Sequence, residues 1–125
     1  MSLPPPGLSG LESRWSREVS AHDSTGVRRT WHVLDSHAGL PDDAPEPVGT
    51  LLCVHGNPSW SYLWRRVVAA PPAGWRVVAV DHLDMGFSER TGTLRPLAQR
   101  VDDLDSLTRA LGLTGPGRTG RVITV

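Results

Sequence analysis

Apolar residues along this chain come in two rhythms, short unbroken runs and helical stripes, separated by stretches rich in Gly, Pro and acids. Residues 50–54 and 76–80 are unbroken runs of strand length, the pattern of strands buried on both faces of a parallel sheet. Residues 121–125 begin a third. Between the first two, Trp60, Leu63, Trp64, Val67 and Val68 fall at i, i+3, i+4, i+7 and i+8, which predicts one apolar face of a helix ended by Pro71, Pro72 and Gly74. After the second run, Leu97, Val101, Leu104, Leu107 and Leu111 repeat at helical spacing. Pro96 suits the first turn of that helix and Gly112 its C-terminal cap. Upstream, residues 15–21 and 29–36 read as two strands. In the second, Trp31 and Val33 alternate with Thr30, His32 and Leu34, a mixed period of two. His22-Asp23-Ser24-Thr25-Gly26 between them has the composition of a hairpin loop.

The predicted order is therefore hairpin, strand, helix, strand, helix, strand. Strands alternating with helices imply an α/β fold with right-handed crossovers between parallel strands, here carrying an antiparallel hairpin on one edge. Residues 1–13, rich in Pro, Gly and Ser, read as a flexible leader. Residues 37–49 carry Gly39, Pro41, Pro45, Pro47 and Gly49 with three acids, and form a loop. No internal repeat is visible, and residues 14–125 form one domain segment.

Composition narrows the function classes. Thirteen basic and thirteen acidic residues cancel, so no net field draws the chain to nucleic acid or to an anionic membrane. A single cysteine leaves no internal disulfide and fits a reducing compartment. The Met1 to Gly7 segment lacks the basic and apolar regions of a signal peptide, and no apolar run approaches the ~20 residues that span a bilayer. A cytoplasmic protein is expected, with neither a nucleic-acid nor a membrane partner.

The chemistry concentrates where the first parallel strand stops. Leu51-Leu52-Cys53-Val54 runs into His55-Gly56-Asn57-Pro58 and then Ser59-Trp60-Ser61-Tyr62-Leu63-Trp64-Arg65. A sharp loop at the C-terminal end of a buried strand is where open α/β sheets bind ligands, and its unpaired N–H groups can receive a negative oxygen or an anion. An ordinary strand-to-helix turn needs Gly and Pro but has no use for His and Asn beside them. This stretch resembles the α/β-hydrolase superfamily, in which a His-Gly-x-Pro loop after the third strand forms the oxyanion hole. The His-Gly-Asn-Pro version followed by Ser-Trp-Ser-Tyr-Leu-Trp-Arg looks like the haloalkane-dehalogenase branch, whose relatives include β-lactone decarboxylases and, further off, epoxide hydrolases. The resemblance implies that Asn57 holds the departing halide or developing oxyanion through its backbone N–H and side-chain amide, with His55, Gly56 and Pro58 shaping the loop. An amide donates to an anion without adding a titratable charge. Trp60, next to the loop, is a candidate for the substrate pocket as well as the core. In Asp81-His82-Leu83-Asp84-Met85-Gly86-Phe87-Ser88, the residues Asp81, Gly86 and Ser88 match the family's pattern after the fourth strand, while Asp84 stands where the family has Gly. Asp81 and His82 read either as an acid/base pair or as polar partners pinning a loop, and the second is favoured.

The superfamily's nucleophile sits on a sharp elbow directly after the fifth strand. No such elbow occurs in these 125 residues, and Val125 stands where it would begin. The expectation is thus an N-terminal portion of an α/β-hydrolase, truncated before the elbow. The full-length form would act on a small apolar substrate through an Asp nucleophile, while the 125-residue chain alone would be inactive. Haloalkane dehalogenation is the nearest chemistry, with β-lactone decarboxylation, epoxide hydrolysis and, through a Ser elbow, ester hydrolysis as the alternatives. A reading of another class is a shortened, non-catalytic module that binds a ligand or a complementary chain through its sheet edge. No cofactor is implied, and the oligomeric state is open. Three other features carry no chemistry. Gly115-Pro116-Gly117-Arg118-Thr119-Gly120 matches a dinucleotide fingerprint but follows a helix, the reverse of the required order. Cys53 inside an apolar strand reads as a small buried hydrophobe. Histidines 22, 32, 37, 55 and 82 have no metal-ligand spacing.

Overall fold

A computed structural model describes residues 3–115 and 120–125. Five strands form one sheet in the order β1-β2-β4-β3-β5, with β1 (Ser16–His22), β2 (Arg28–Asp35), β3 (Gly49–Val54), β4 (Trp75–Val80) and β5 (Arg121–Thr124). The hairpin β1–β2 is antiparallel and joins β4 antiparallel, whereas β3 runs parallel to both β4 and β5. This is the mixed sheet with crossover helices that the alternating pattern predicts. The step from β3 to β4 moves one way across the sheet, and the step from β4 to β5 passes back over β3. The two connecting helices therefore cover opposite faces, and the chain reverses direction beside β3.

Each face has its own core. On one, Trp31, Val33, Leu52, Val78, Val80 and Leu107 pack together beneath α2 (Leu97–Ala110). On the other, Trp15, Leu34, Cys53, Val68, Val77 and Ala79 pack beneath α1 (Arg65–Ala69). Successive residues of β2 and β4 point to opposite cores, which explains the mixed period in residues 30–34: Trp31, His32, Val33 and Leu34 all have no exposed surface. Gly112 ends α2 as predicted, with φ +73°; the Leu113 N–H reaches the Thr108 carbonyl and the Gly112 N–H that of Arg109, a Schellman cap.

Both helical stripes need correction. The first helix does not begin at Trp60. Pro58 to Trp60 stay outside the helix, a 3-10 turn (Ser61–Trp64) follows, and only then does α1 start. Winding three residues per turn instead of 3.6 rotates the stripe, so Ser61 is buried and Leu63 is 58% exposed. In α2, Leu104, Leu107 and Leu111 face the core, but Leu97 and Val101 are exposed. Asp103 takes the inward position at that level, where it accepts from Arg95 and from the Ser24 N–H and hydroxyl.

Arg95 ties the hairpin to the start of α2, since it also donates to Asp23 in the β1–β2 loop. Burial opposes ionisation of Asp23, but donors from Thr25, Arg29, Val27 and Arg95 outweigh it and hold the carboxyl far below the usual range. Asp35 at the end of β2 behaves alike: burial is overcome by Arg76, the His37 N–H and Arg17. In the N-terminal segment, the Tyr62 hydroxyl donates to the Ser9 carbonyl and Leu11 packs against the Trp15 cluster.

Candidate active site

Because β3, β4 and β5 are parallel, they end at the same edge of the sheet. The loop after β3 emerges between its two neighbours. His55 is buried, while Gly56, Asn57 and Pro58 are exposed. The Asn57–Pro58 peptide is cis. Val125 continues the β5 pairing, accepting from the Val54 N–H and donating to the Leu52 carbonyl, both at 2.9 Å. The C-terminal end of β5 thus lies directly beside the root of the Asn57 loop. Trp60, half-buried, stacks on Tyr62 with ring centroids 5.2 Å apart and leans on Phe87 at the same separation.

The loop after β4 is built on Asp81, which has no exposed surface. One carboxylate oxygen accepts from the Ser61 N–H at 2.6 Å; the other accepts from His32 Nδ1 and from the Phe87 N–H, both at 2.8 Å. Burial pushes the carboxyl toward neutrality, but His32 and the two backbone donors prevail and hold it below the ordinary range. Ser88 closes the loop, its hydroxyl donating to the Asp81 carbonyl while accepting from the His32 N–H. Gly86 is required at its place. With φ +52°, an added Cβ would lie 2.2 Å from an Asp81 carboxylate oxygen. Asp84, where the family has Gly, takes φ +70° itself, and its carboxylate accepts from the Thr91 N–H and hydroxyl. Asp is among the few side chains that tolerate this region, so the tight turn forms despite the departure.

The two loops meet through histidines. His55 Nε2 lies 3.0 Å from the His82 backbone nitrogen, His55 Nδ1 lies 2.7 Å from the Gly56 oxygen, and the two rings stand edge to face at 4.6 Å. Burial, then His55 and Arg100, lower the affinity of His82 for a proton. The structure thus brings His55 and Trp60 against the β4 loop and leaves Asn57 and Pro58 at the rim. Asp81 pairs with His32 and not with His82, in keeping with its reading as a pin. His32 went unnoticed in the sequence because a histidine in a strand flanked by Trp and Val carries no signal of a partner 49 positions away. Asp81, His32 and the Ser16 hydroxyl, 3.3 Å from His32 Nε2, stand in the order of a proton relay. The last contact is long, and His32 is wholly enclosed, so the chain serves as a buried polar anchor.

Cys53 has no exposed surface, and burial pushes its thiol up to about 11, out of reach of nucleophilic use. Among the described residues no three His, Cys, Asp or Glu side chains group as metal ligands, and no helix is long and apolar enough to cross a membrane. Pro116 to Thr119 of the Gly-rich match lie outside the described residues. A cleft lined by Pro47, Thr50, Arg76, Leu113 and Arg121 lies at the opposite end of the sheet, where β3 and β5 begin, and none of residues 55–60 borders it.

This mixed sheet, in the order β1-β2-β4-β3-β5 with crossover helices on both faces, is an α/β-hydrolase-type fold. The chain belongs to the alpha/beta hydrolase fold family, whose model matches residues 49–117. It is 40% identical over 95 residues to the cis-3-alkyl-4-alkyloxetan-2-one decarboxylase of Xanthomonas campestris, covering 66% of this chain and 32% of that protein. It is 40% identical over 87 residues to haloalkane dehalogenase 2 of Mycobacterium tuberculosis, covering 70% of this chain and 24% of that protein. The chain therefore spans about a quarter to a third of the length of these curated relatives. Among solved structures, the haloalkane dehalogenase DatA of Agrobacterium tumefaciens C58 superposes with a TM-score of 0.64 at 20% identity, over 94% of this chain and 35% of that one. A thermophilic esterase from Thermogutta terrifontis superposes with a TM-score of 0.63 at 20% identity, over 88% and 36%. At that identity these two bear on the fold alone.

Proposed function

We propose that this chain carries the anion-holding loop of a haloalkane-dehalogenase-like hydrolase whose nucleophile lies beyond Val125. The observation that carries the reading is placement. An exposed Asn57 stands at the C-terminal end of β3, and β5, after which the superfamily puts its nucleophile, is hydrogen-bonded alongside up to Val125. A residue a few positions further on would emerge next to the Asn57 loop.

In this reading an Asp carboxylate attacks the carbon bearing the halogen of a small apolar substrate. A C–O bond forms, the carbon–halogen bond breaks, and halide leaves with the electron pair. Water then cleaves the alkyl ester, returning the carboxylate and releasing an alcohol and a proton. The Asn57 backbone N–H and side-chain amide donate to the leaving halide, His55, Gly56 and Pro58 shape the loop, and Trp60 flanks the substrate. The 125-residue chain, holding the anion donors without a nucleophile, is inactive by itself. β-Lactone decarboxylation is the second reading, favoured by the 40% identity to the Xanthomonas decarboxylase. There the same donors would hold a developing oxyanion.

The test is to sequence the coding DNA past the Val125 codon and assay the continued product. Asp followed by Trp at the elbow, with bromide release from a bromoalkane, supports dehalogenation. Carbon dioxide release from a β-lactone selects the second reading, and Ser at the elbow would mean an esterase. On the continued product, Asn57→Ala is expected to lower kcat about 10²- to 10³-fold. A confirmed stop codon after Val125 would sink the catalytic reading and turn attention to a partner chain.

A further inference from the structure

His55 is 4% exposed although the three residues after it are all at the surface. Its ring reaches in two directions, to the Gly56 oxygen and to the His82 backbone nitrogen. A backbone N–H can only donate and a carbonyl can only accept. One arrangement satisfies both: Nε2 is bare and accepts from the His82 N–H, and Nδ1 carries the hydrogen and donates to the Gly56 oxygen. The Gly56–Asn57 peptide is trans, Asn57–Pro58 being the cis bond, so its C=O and N–H point in opposite directions. Fastening the Gly56 oxygen to the buried imidazole therefore turns the Asn57 N–H away from the His55 ring. His82 holds the imidazole plane from its side, edge to face. Arg100 of α2 secures the same β4 loop by donating to the Leu83 carbonyl at 2.8 Å.

We propose that His55 is a positioning residue: through the path His82 N–H to His55 to Gly56 C=O, it aims the Asn57 N–H at the departing anion without touching the anion itself. This rests on the reading of Asn57 as an anion donor. It adds that the aim of that donor is set from the β4 loop.

The experiment uses the 15N-labelled 125-residue chain. Long-range correlation spectra of the imidazole rings should show His55 hydrogenated at Nδ1 and bare at Nε2 near neutral pH. On acidification the Gly56, Asn57 and His82 amide signals should move with the His55 ring, with Asp81 and Arg100 as the charged groups facing the His82 side. The opposite tautomer, or Gly56, Asn57 and His82 amides that stay unmoved while the His55 ring signals move, overturns the proposal. Iodide titration then reads the aim. His55→Asn keeps an amide donor where Nδ1 was and should retain the iodide-induced shift of the Asn57 N–H. His55→Gln, which puts its polar group out toward His82 and away from Gly56, should bind iodide about tenfold more weakly. Equal binding in both variants overturns the proposal. If iodide leaves the wild-type Asn57 signal unmoved while the tautomer and joint titration hold, the anion-donor reading fails and the His55 path stands.

Discussion

Two loops leave the same edge of the sheet one strand apart, and they spend their polar groups in opposite ways. After β4, Asp81 is enclosed and satisfied by His32, Ser61 and Phe87, Ser88 is buried between two strands' backbones, and Gly86 packs where nothing larger fits. After β3, only His55 turns inward, and Gly56, Asn57 and Pro58 face solvent. The first loop is a floor and the second a rim. A rim can present donors in a constant geometry only when the floor beneath it is rigid, which is why binding residues gather on loops held by a stiff scaffold. The contrast also separates residues that look alike in the sequence. Asp81 and Asn57 both follow a buried strand, yet one has its hydrogen bonds within the fold and the other lies open to a ligand.

This contrast can be broken most severely at Asp81. Asp81→Ala leaves His32 and two buried N–H groups without their acceptor, and should cost about 3–5 kcal/mol in urea unfolding. A loss below about 1 kcal/mol would show that the floor does not depend on it. Gly86→Ala comes next, since its Cβ meets the Asp81 carboxylate and Trp60 from a backbone with positive φ. It should cost about 2–4 kcal/mol by the same measurement, combining overpacking with backbone strain.

Acid probes the floor without mutation. In the floor His82 and Asp81, and at the opposite end of the sheet Asp35, all bind protons more weakly folded than unfolded. For each, the unfolded chain takes up the proton first, so stability present at neutral pH is lost as pH falls from the unfolded pKa through the folded one. The urea midpoint should decline gently below about pH 6.5, where histidine titrates, and steeply below about pH 4, where carboxyls do. A midpoint constant from pH 7 to 3 would contradict this. The smallest effect belongs to the rim: Asn57→Ala should change stability by no more than about 0.5 kcal/mol. A larger loss would make Asn57 part of the floor and weaken its assignment as an anion donor.

Much of this was legible along the chain. The unbroken runs at 50–54 and 76–80 became β3 and β4 because strands covered on both faces need apolar residues at every position, and both faces are indeed covered. Pro96 and Gly112 bracketed α2 because each has a backbone preference that suits one end of a helix. The stripe starting at Trp60 misled, since spacing assumes 3.6 residues per turn and the Ser61 N–H is drawn instead into a tight 3-10 turn by Asp81. Leu97 and Val101 misled for a related reason: periodicity names a face but not how far along the helix a neighbour reaches.

The sequence by itself determined which segments are strands and helices, where the Asn57 loop falls between them, and which family the loop belongs to. These follow from local preference and from residues contiguous in the chain. Only the tertiary structure decided that His32 is the partner of Asp81, that His55 spans to the β4 loop, and that β5 comes to rest beside β3 and not beside β4. Each of these joins groups separated by many residues, and the free energy that selects them comes from burying a charge with its partners and closing two cores at once. No window along the chain contains both members of such a pair.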